Sequence, residues 1–190
     1  MNSQRAYDPN EFLARAARAF WTHGYAGTSV ADLVAATGVN RGSIYAAYQG
    51  KRALFLASLR HYDAQHRAGF LAALGGHPPR AAILAAFAAA AESPAATPPG
   101  CLLVNTATEL GPHDPEIAAF VTQSLAQVEA FFADRLRAGQ AGGTIPVIVP
   151  VAATATALIG LFLGLRVLTR VGADRAARDA IVARAGALLT

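Results

Sequence analysis

Residues 24–54 read GYAGTSVADLVAATGVNRGSIYAAYQGKRAL. Thr28 and Ser29 suit the start of a helix, since a short side-chain oxygen accepts from an amide that the first turn leaves free. Val30, Leu33, Val34 and Thr37 then share one face until Gly38 stops the helix. Asn40 can cap a second short helix through Ile44 to Tyr48, and after Gln49 and Gly50 a longer one begins near Lys51. A helix-turn-helix needs an apolar and a small residue on its first helix, Gly at the turn, and an apolar residue where the second helix crosses. Leu33, Gly38, Val39 and Ile44 occupy those positions. Val34 stands where Ala is usual, which predicts a slightly wider crossing.

Upstream, Phe12, Ala16, Ala19 and Phe20 recur at helical spacing between Glu11 and Trp21, and Gly24 ends that helix. Downstream, the helix from Lys51 runs to about Leu74, where Gly75, Gly76, Pro78 and Pro79 interrupt it. A helix from Arg80 to about Ala91 precedes a Pro-rich break around Pro94, Pro98 and Pro99. Leu102 to Leu110 form the next. His113 and Asp114 lead into Pro115 and Glu116, where Pro suits the first turn and acid suits the dipole. Ile117, Phe120, Val121, Leu125, Val128, Phe132 and Leu136 mark a long amphipathic helix ended by Gly139, Gly142 and Gly143. A helix from Val151 to at least Leu165 and one from Asp174 to about Leu189 complete an all-α chain of about nine helices.

Composition agrees: 54% of the 190 residues are hydrophobic and 15% charged, and Ala and Leu, both strong helix formers, dominate. The net charge of +4 is concentrated at the front, with +3 in residues 1–52, carried by Arg5, Arg15, Arg18, Arg41, Lys51 and Arg52. A basic front suits a polyanion. The single cysteine, Cys101, excludes an internal disulfide framework and a Cys-rich zinc site. No secretory signal pattern opens the chain, which predicts a cytoplasmic address. The uncharged run between Arg137 and Arg166 is broken by three glycines, Pro146 and Pro150. It therefore reads as a helix covered on more than one side rather than a membrane span. Gly160 and Gly164, one turn apart, would admit a close helix, and two helices from each of two subunits would bury that surface.

The segment from Gly24 to Leu54 resembles the DNA-binding domain of the TetR-type regulators. The shared run goes from G-[YF] through T-[ST]-V and the turn to G-[ST]-[LI]-Y and K-x-x-L. It matches at Gly24, Tyr25, Thr28, Ser29, Val30, Leu33, Gly38, Val39, Gly42, Ser43, Ile44, Tyr45, Lys51 and Leu54. The segments GCLLVNTATEL from Gly100 and DPEIAAF from Asp114 are similar to the family's ligand-binding body. The resemblance implies a helix-turn-helix domain over residues 1–52 and a ligand-binding and dimerisation domain over 53–190. It also implies a homodimer on double-stranded operator DNA, most simply a repressor. Arg41, Gly42, Ser43 and Tyr45 would then enter or border the major groove, with Thr28, Ser29 and Lys51 clamping phosphates on either side; Val30 and Tyr48 are further DNA-binding candidates, Tyr48 half in the core. Arg41 can donate a bidentate pair to guanine. Ala47 stands where the family often has a phosphate-touching His, so one backbone contact is missing.

In that family an effector enters a cavity among the fourth to eighth helices and shifts the fourth. The expected lining is Tyr62, His66, Phe70, Leu103, Thr106, Leu110, Phe120 and Ser124. So few charges predict an apolar or aromatic effector with one or two hydrogen-bonding groups. The expected dimer contacts are Leu158, Phe162, Leu165, Ile181 and Leu188. Cys101, at a helix start where the dipole favours thiolate chemistry, is the alternative sensor for oxidants or electrophiles. A helical dimer that binds ligands without reading DNA is the other alternative. No phosphate loop, nucleophile elbow or paired metal-binding histidines point to an enzyme. His61 and His66 are five apart, one residue beyond ligand spacing on a helix, so neither a metal nor a cofactor is expected.

Overall fold

The computed structural model describes residues 8–92 and 97–190, so Arg5 and Pro94 lie outside the described residues. Among these there are nine α-helices and no strand: α1 (Pro9–His23), α2 (Val30–Thr37), α3 (Arg41–Tyr48), α4 (Lys51–Leu74), α5 (Pro79–Ala91), α6 (Leu102–Glu109), α7 (Pro115–Ala141), α8 (Val151–Arg170) and α9 (Arg175–Ala187).

The boundaries follow local chemistry. Asp8, Ser29, Asn40, Asp114 and Asp174 each accept from a first-turn amide with their side chains, worth about 1 kcal/mol per cap. Ser29, rather than Thr28, caps α2, in a reciprocal capping box with Asp32. Gly38 closes α2 in the left-handed region, at φ 73°, where glycine carries no Cβ penalty.

Two cores hold the helices. In the first, Phe12, Phe20, Leu33 and Ile44 from α1–α3 pack with Leu54, Phe55 and Leu59 of α4, with Leu102 and Leu103 of α6, and with Ile117 and Val121 of α7. The apolar interior of the helix-turn-helix thus continues past residue 52. Helices as short as α2 and α3 are marginal alone, and this shared core fixes them. The second core joins α5, α7, α8 and α9 through Ile83, Phe87, Phe132, Leu136, Leu158, Leu165 and Ala185. Phe132 is fully buried, its ring 5.8 Å from those of Phe87 and Phe162.

Leu158 and Leu165 are 0% exposed in the protomer, which removes them from the expected dimer contacts. On a helix as apolar as α8, sequence does not say which apolar face turns inward, and these leucines take the inner one. Phe162, Ile181 and Leu188 are half-buried and also pack on the second core. The outer face of α8 is instead a stripe of small residues, Ala153, Ala157, Gly160 and Gly164, followed by Val167 and Val171. α8 is long and apolar enough to cross a membrane, and only 28% of its most apolar stretch is buried.

Phe132→Ala is expected to cost about 3–5 kcal/mol, the transfer and cavity cost of a buried phenyl ring. Denaturant titration would register it as a lower midpoint; an unchanged midpoint would contradict the assignment of Phe132 to the centre of this core.

Candidate nucleic-acid interface

α2 and α3 present the candidate surface. Ile44 and Val39 point inward, so helical geometry turns Arg41, Gly42, Tyr45, Ala46 and Ala47 outward. Tyr45 is 40% exposed, and the Arg41 guanidinium lies 5.4 Å from the centre of its ring. That stacking holds the arginine over the face of α3 at little cost to its hydrogen-bonding edge. Ser43 is half-buried and its amide donates to the Asn40 side chain at 2.9 Å.

The expected phosphate contacts divide. Thr28 is 0% exposed, and its hydroxyl donates to the Gly24 carbonyl at 2.6 Å. Its side chain closes the α1–α2 turn internally and does not face a phosphate, which corrects the reading from sequence. Ser29 is exposed, but its hydroxyl donates to Asp32 at 2.6 Å and accepts from the Asp32 amide at 3.1 Å. Those bonds, first from the Ser29 side chain and then from its amide, hold the Asp32 carboxyl below its ordinary value. Val30 is half-buried at the start of α2. Tyr48 is half-buried and stacks on Phe12, with centroids 5.6 Å apart. Lys51 stands at the start of α4 with its ammonium 4.5 Å from the Tyr25 ring centre, and Tyr25 packs on Phe20 and Phe55. The lysine is aimed by the turn that precedes α2.

Arg52, counted among the basic front, is spent elsewhere. It donates to Asp114 at 2.7 and 2.9 Å and to Glu116 at 2.9 Å. Asp114 and then Glu116 raise its pKa further, while its hydrogen bonds hold Asp114 below the ordinary carboxylate value. The pairing ties the start of α4 to the start of α7.

Glu109, which sequence reasoning missed, ends α6 as a clamp. Its carboxylate accepts from the amides of Tyr25 at 3.1 Å and Ala26 at 2.8 Å. Gly24 makes room for it, with φ at +76° and a Cβ position only 3.1 Å from the carboxylate. A carboxylate reaching a turn 83 residues away leaves no local sequence pattern.

A cavity of about 520 Å³ lies behind α4. Tyr62, His66, Phe70 and Leu103 line it, and so does Phe162, assigned from sequence to the dimer contacts. Cys101 and Val128 join them, and so do Asp63, Arg67 and Arg166. Thr106, Leu110, Phe120 and Ser124 do not line it. Thr106 and Ser124 are buried elsewhere, and Leu110 and Phe120 pack on the first core. The cavity is therefore more charged than the sequence suggested. Burial, then the nearby Arg166, lower the pKa of His66 against an opposing pull from Asp63. Burial, then Cys101, raise that of Tyr62, whose hydroxyl donates to the Cys101 sulfur at 3.6 Å.

Residues 12–58 match the family model described as bacterial regulatory proteins, tetR family, and residues 78–184 match that of the tetracyclin repressor-like C-terminal domain. The chain belongs to the TetR family. Among curated relatives it is 34% identical over 176 residues to the HTH-type transcriptional repressor ComR of Escherichia coli (strain K12), covering 90% of this chain and 83% of that one. It is 32% identical over 179 residues to the uncharacterized HTH-type transcriptional regulator YezE of Bacillus subtilis (strain 168), covering 92% of both. Among solved structures, a cysteine mutant of the TetR family transcriptional regulator CifR, complexed with 26bp double-strand operator DNA, superposes with a TM-score of 0.87. It has 28% identity, and all of both chains is covered. As a TetR-family member the protein is an HTH-type transcriptional regulator.

Glu109→Ala would free the amides of Tyr25 and Ala26. Hydrogen exchange is expected to lose protection there first, with a global loss of about 1–3 kcal/mol for two charge-assisted bonds. Unchanged exchange at both amides would show that the clamp does not hold the turn.

Proposed function

We propose that this protein is a homodimeric repressor that reads operator DNA with residues 1–52 and releases it when a small molecule fills the cavity of the body, residues 53–190. The observation that carries the reading is the outward face of α3, where Arg41, Gly42, Tyr45 and Ala46 stand clear while Ile44 anchors the helix from behind. A helix so presented fits the major groove. Arg41 reads a base edge, Gly42 lets the backbone approach, Ser43 and Tyr45 border the groove, and Lys51 takes a phosphate. Ser29 and Val30 contribute through the backbone at the positive end of α2, although the Asp32 carboxylate weakens that field. Ala47 adds no phosphate contact.

The dimer forms through the small-residue face of α8. Nothing lies within 4 Å of where a Cβ would sit on Gly160 or Gly164, so a second helix can come close. Holding two reading heads at successive major grooves requires such a fixed pairing. The regulator then acts in the cytoplasm, where its DNA is.

An effector changes DNA affinity only by preferring the state in which the heads are misplaced. The cavity borders α4, the helix that begins at Lys51 and Arg52, which gives it a mechanical route to the heads. A second reading, sensing through Cys101, is favoured by its place on the cavity wall beside the Tyr62 hydroxyl. Thiol labelling of the native protein tests it: failure to react while folded excludes the sensor.

Mobility-shift titrations on the DNA flanking the gene test the main reading. Two chains per site are expected. Arg41→Ala should weaken binding by about 1–3 kcal/mol with relaxed specificity, and Lys51→Ala should lower the salt slope by about one unit. Arg52→Ala should leave that slope unchanged, because its charge is already met by Asp114 and Glu116. An Arg41→Ala protein with normal operator affinity would remove it from base reading.

A further inference from the structure

The charges around the cavity do not balance. Asp63 is committed to Arg67, 2.6 Å away and one turn along α4. Burial and Arg166 lower the pKa of His66, so it adds no charge at neutral pH. That leaves Arg166, which has no carboxylate at ion-pair distance among the described residues. Its polar contacts are the carbonyl oxygens of Ala90, at 3.1 Å, and Gly100. Two of its five N–H groups are thereby used and none of its charge is met. A guanidinium facing a cavity whose apolar walls are Phe70, Leu103, Val128 and Phe162, with His66, Gln65 and the Asp63–Arg67 pair beside them, is a site that can hold one anion on an apolar body.

We propose that the effector is an organic acid whose single carboxylate pairs with Arg166 while its aliphatic or aromatic body fills the apolar walls. This rests on the reading of the chain as an effector-controlled regulator and names the class of effector.

The position of Arg166 also says why such an acid would be felt at the DNA. The segment it holds, Pro99–Gly100, is a junction. The Pro99 carbonyl accepts from the indole of Trp21 in α1 at 3.1 Å and from Arg170 at 3.5 Å, and Arg170 donates to the Thr22 carbonyl at 3.2 Å. Gly100 has φ at +83° and sits so close to α8 that a Cβ there would be 2.9 Å from that of Arg170. Cys101 follows as the N-cap of α6, whose far end carries Glu109. A carboxylate is a stronger acceptor than a carbonyl, so an acid that takes the remaining N–H groups of Arg166 draws the guanidinium toward the cavity, weakens its bond to Gly100 and loosens the segment that grips α1 and starts α6.

The test is calorimetric titration and thermal shift of the intact protein with octanoate and phenylacetate, each beside its neutral amide. The acids are expected to bind at least about tenfold more tightly than the amides, as a charge-assisted pair requires. Arg166→Gln should abolish that preference, and Arg166→Lys should keep part of it. An amide that binds as well as its acid, a preference that survives Arg166→Gln, or no binding of either acid would overturn the proposal. If Arg166→Gln does not fold, Arg166→Lys and the acid–amide comparison on the wild type decide. Operator binding by the ligand-free wild type is measured in parallel. Its failure sinks the regulator reading alone, since acid preference is read without DNA.

Discussion

The first core belongs to no single part of the chain, and the rest of the structure depends on that. α2 and α3 are eight residues each and bury little beyond Leu33, Thr37 and Ile44. α2 packs on α1 and α3 packs on α4, and those two supporting helices share the first core with α6 and α7. The exposed face of α3 is consequently the far side of a core whose near side is built by α4, α6 and α7. A rearrangement of α4 is felt directly at α3, which packs on it, because packed interiors deform little before they slip.

Polar contacts make that dependence directional. Glu109 holds the turn before α2, Arg52 joins α4 to α7, and Arg170 and Trp21 bind the end of α1 to the approach to α6. Together they join α1, the turn before α2 and the start of α4 to α6 and its approach, to α7 and to α8, and several are charge-assisted. Exposed ion pairs contribute little to stability alone, so the Arg52 network is better understood as fixing geometry. The cavity lies among the elements these contacts connect, α4, α6, α7 and α8.

Much of this was legible in the sequence. Helical periodicity, the caps Asn40 and Asp174 and the Pro115–Glu116 start located the elements, and the run from Gly24 to Leu54 carried the family. What was not legible depends on direction or on distance along the chain. α8 is apolar around most of its circumference, so periodicity could not say that Leu158 and Leu165 face inward and the glycine stripe outward. Thr28 carries a hydroxyl fit for phosphate, yet the Gly24 carbonyl takes it. Thr106, Leu110, Phe120 and Ser124 have the spacing of a lining and turn into cores instead. Arg166 lay near the end of an uncharged run and read as its boundary; only the fold brings it to the cavity beside His66. Val34 is half-buried against the first core, a bulk the shared packing accommodates.

The central claim is that two such heads, held together through α8, read successive turns of one duplex. Hydroxyl-radical footprinting of the ligand-free protein on the DNA flanking its gene tests it most directly. Two symmetric protected patches about 10 base pairs apart, one helical turn, are expected. Uniform protection along the fragment, or a single patch bound by one chain, would contradict it.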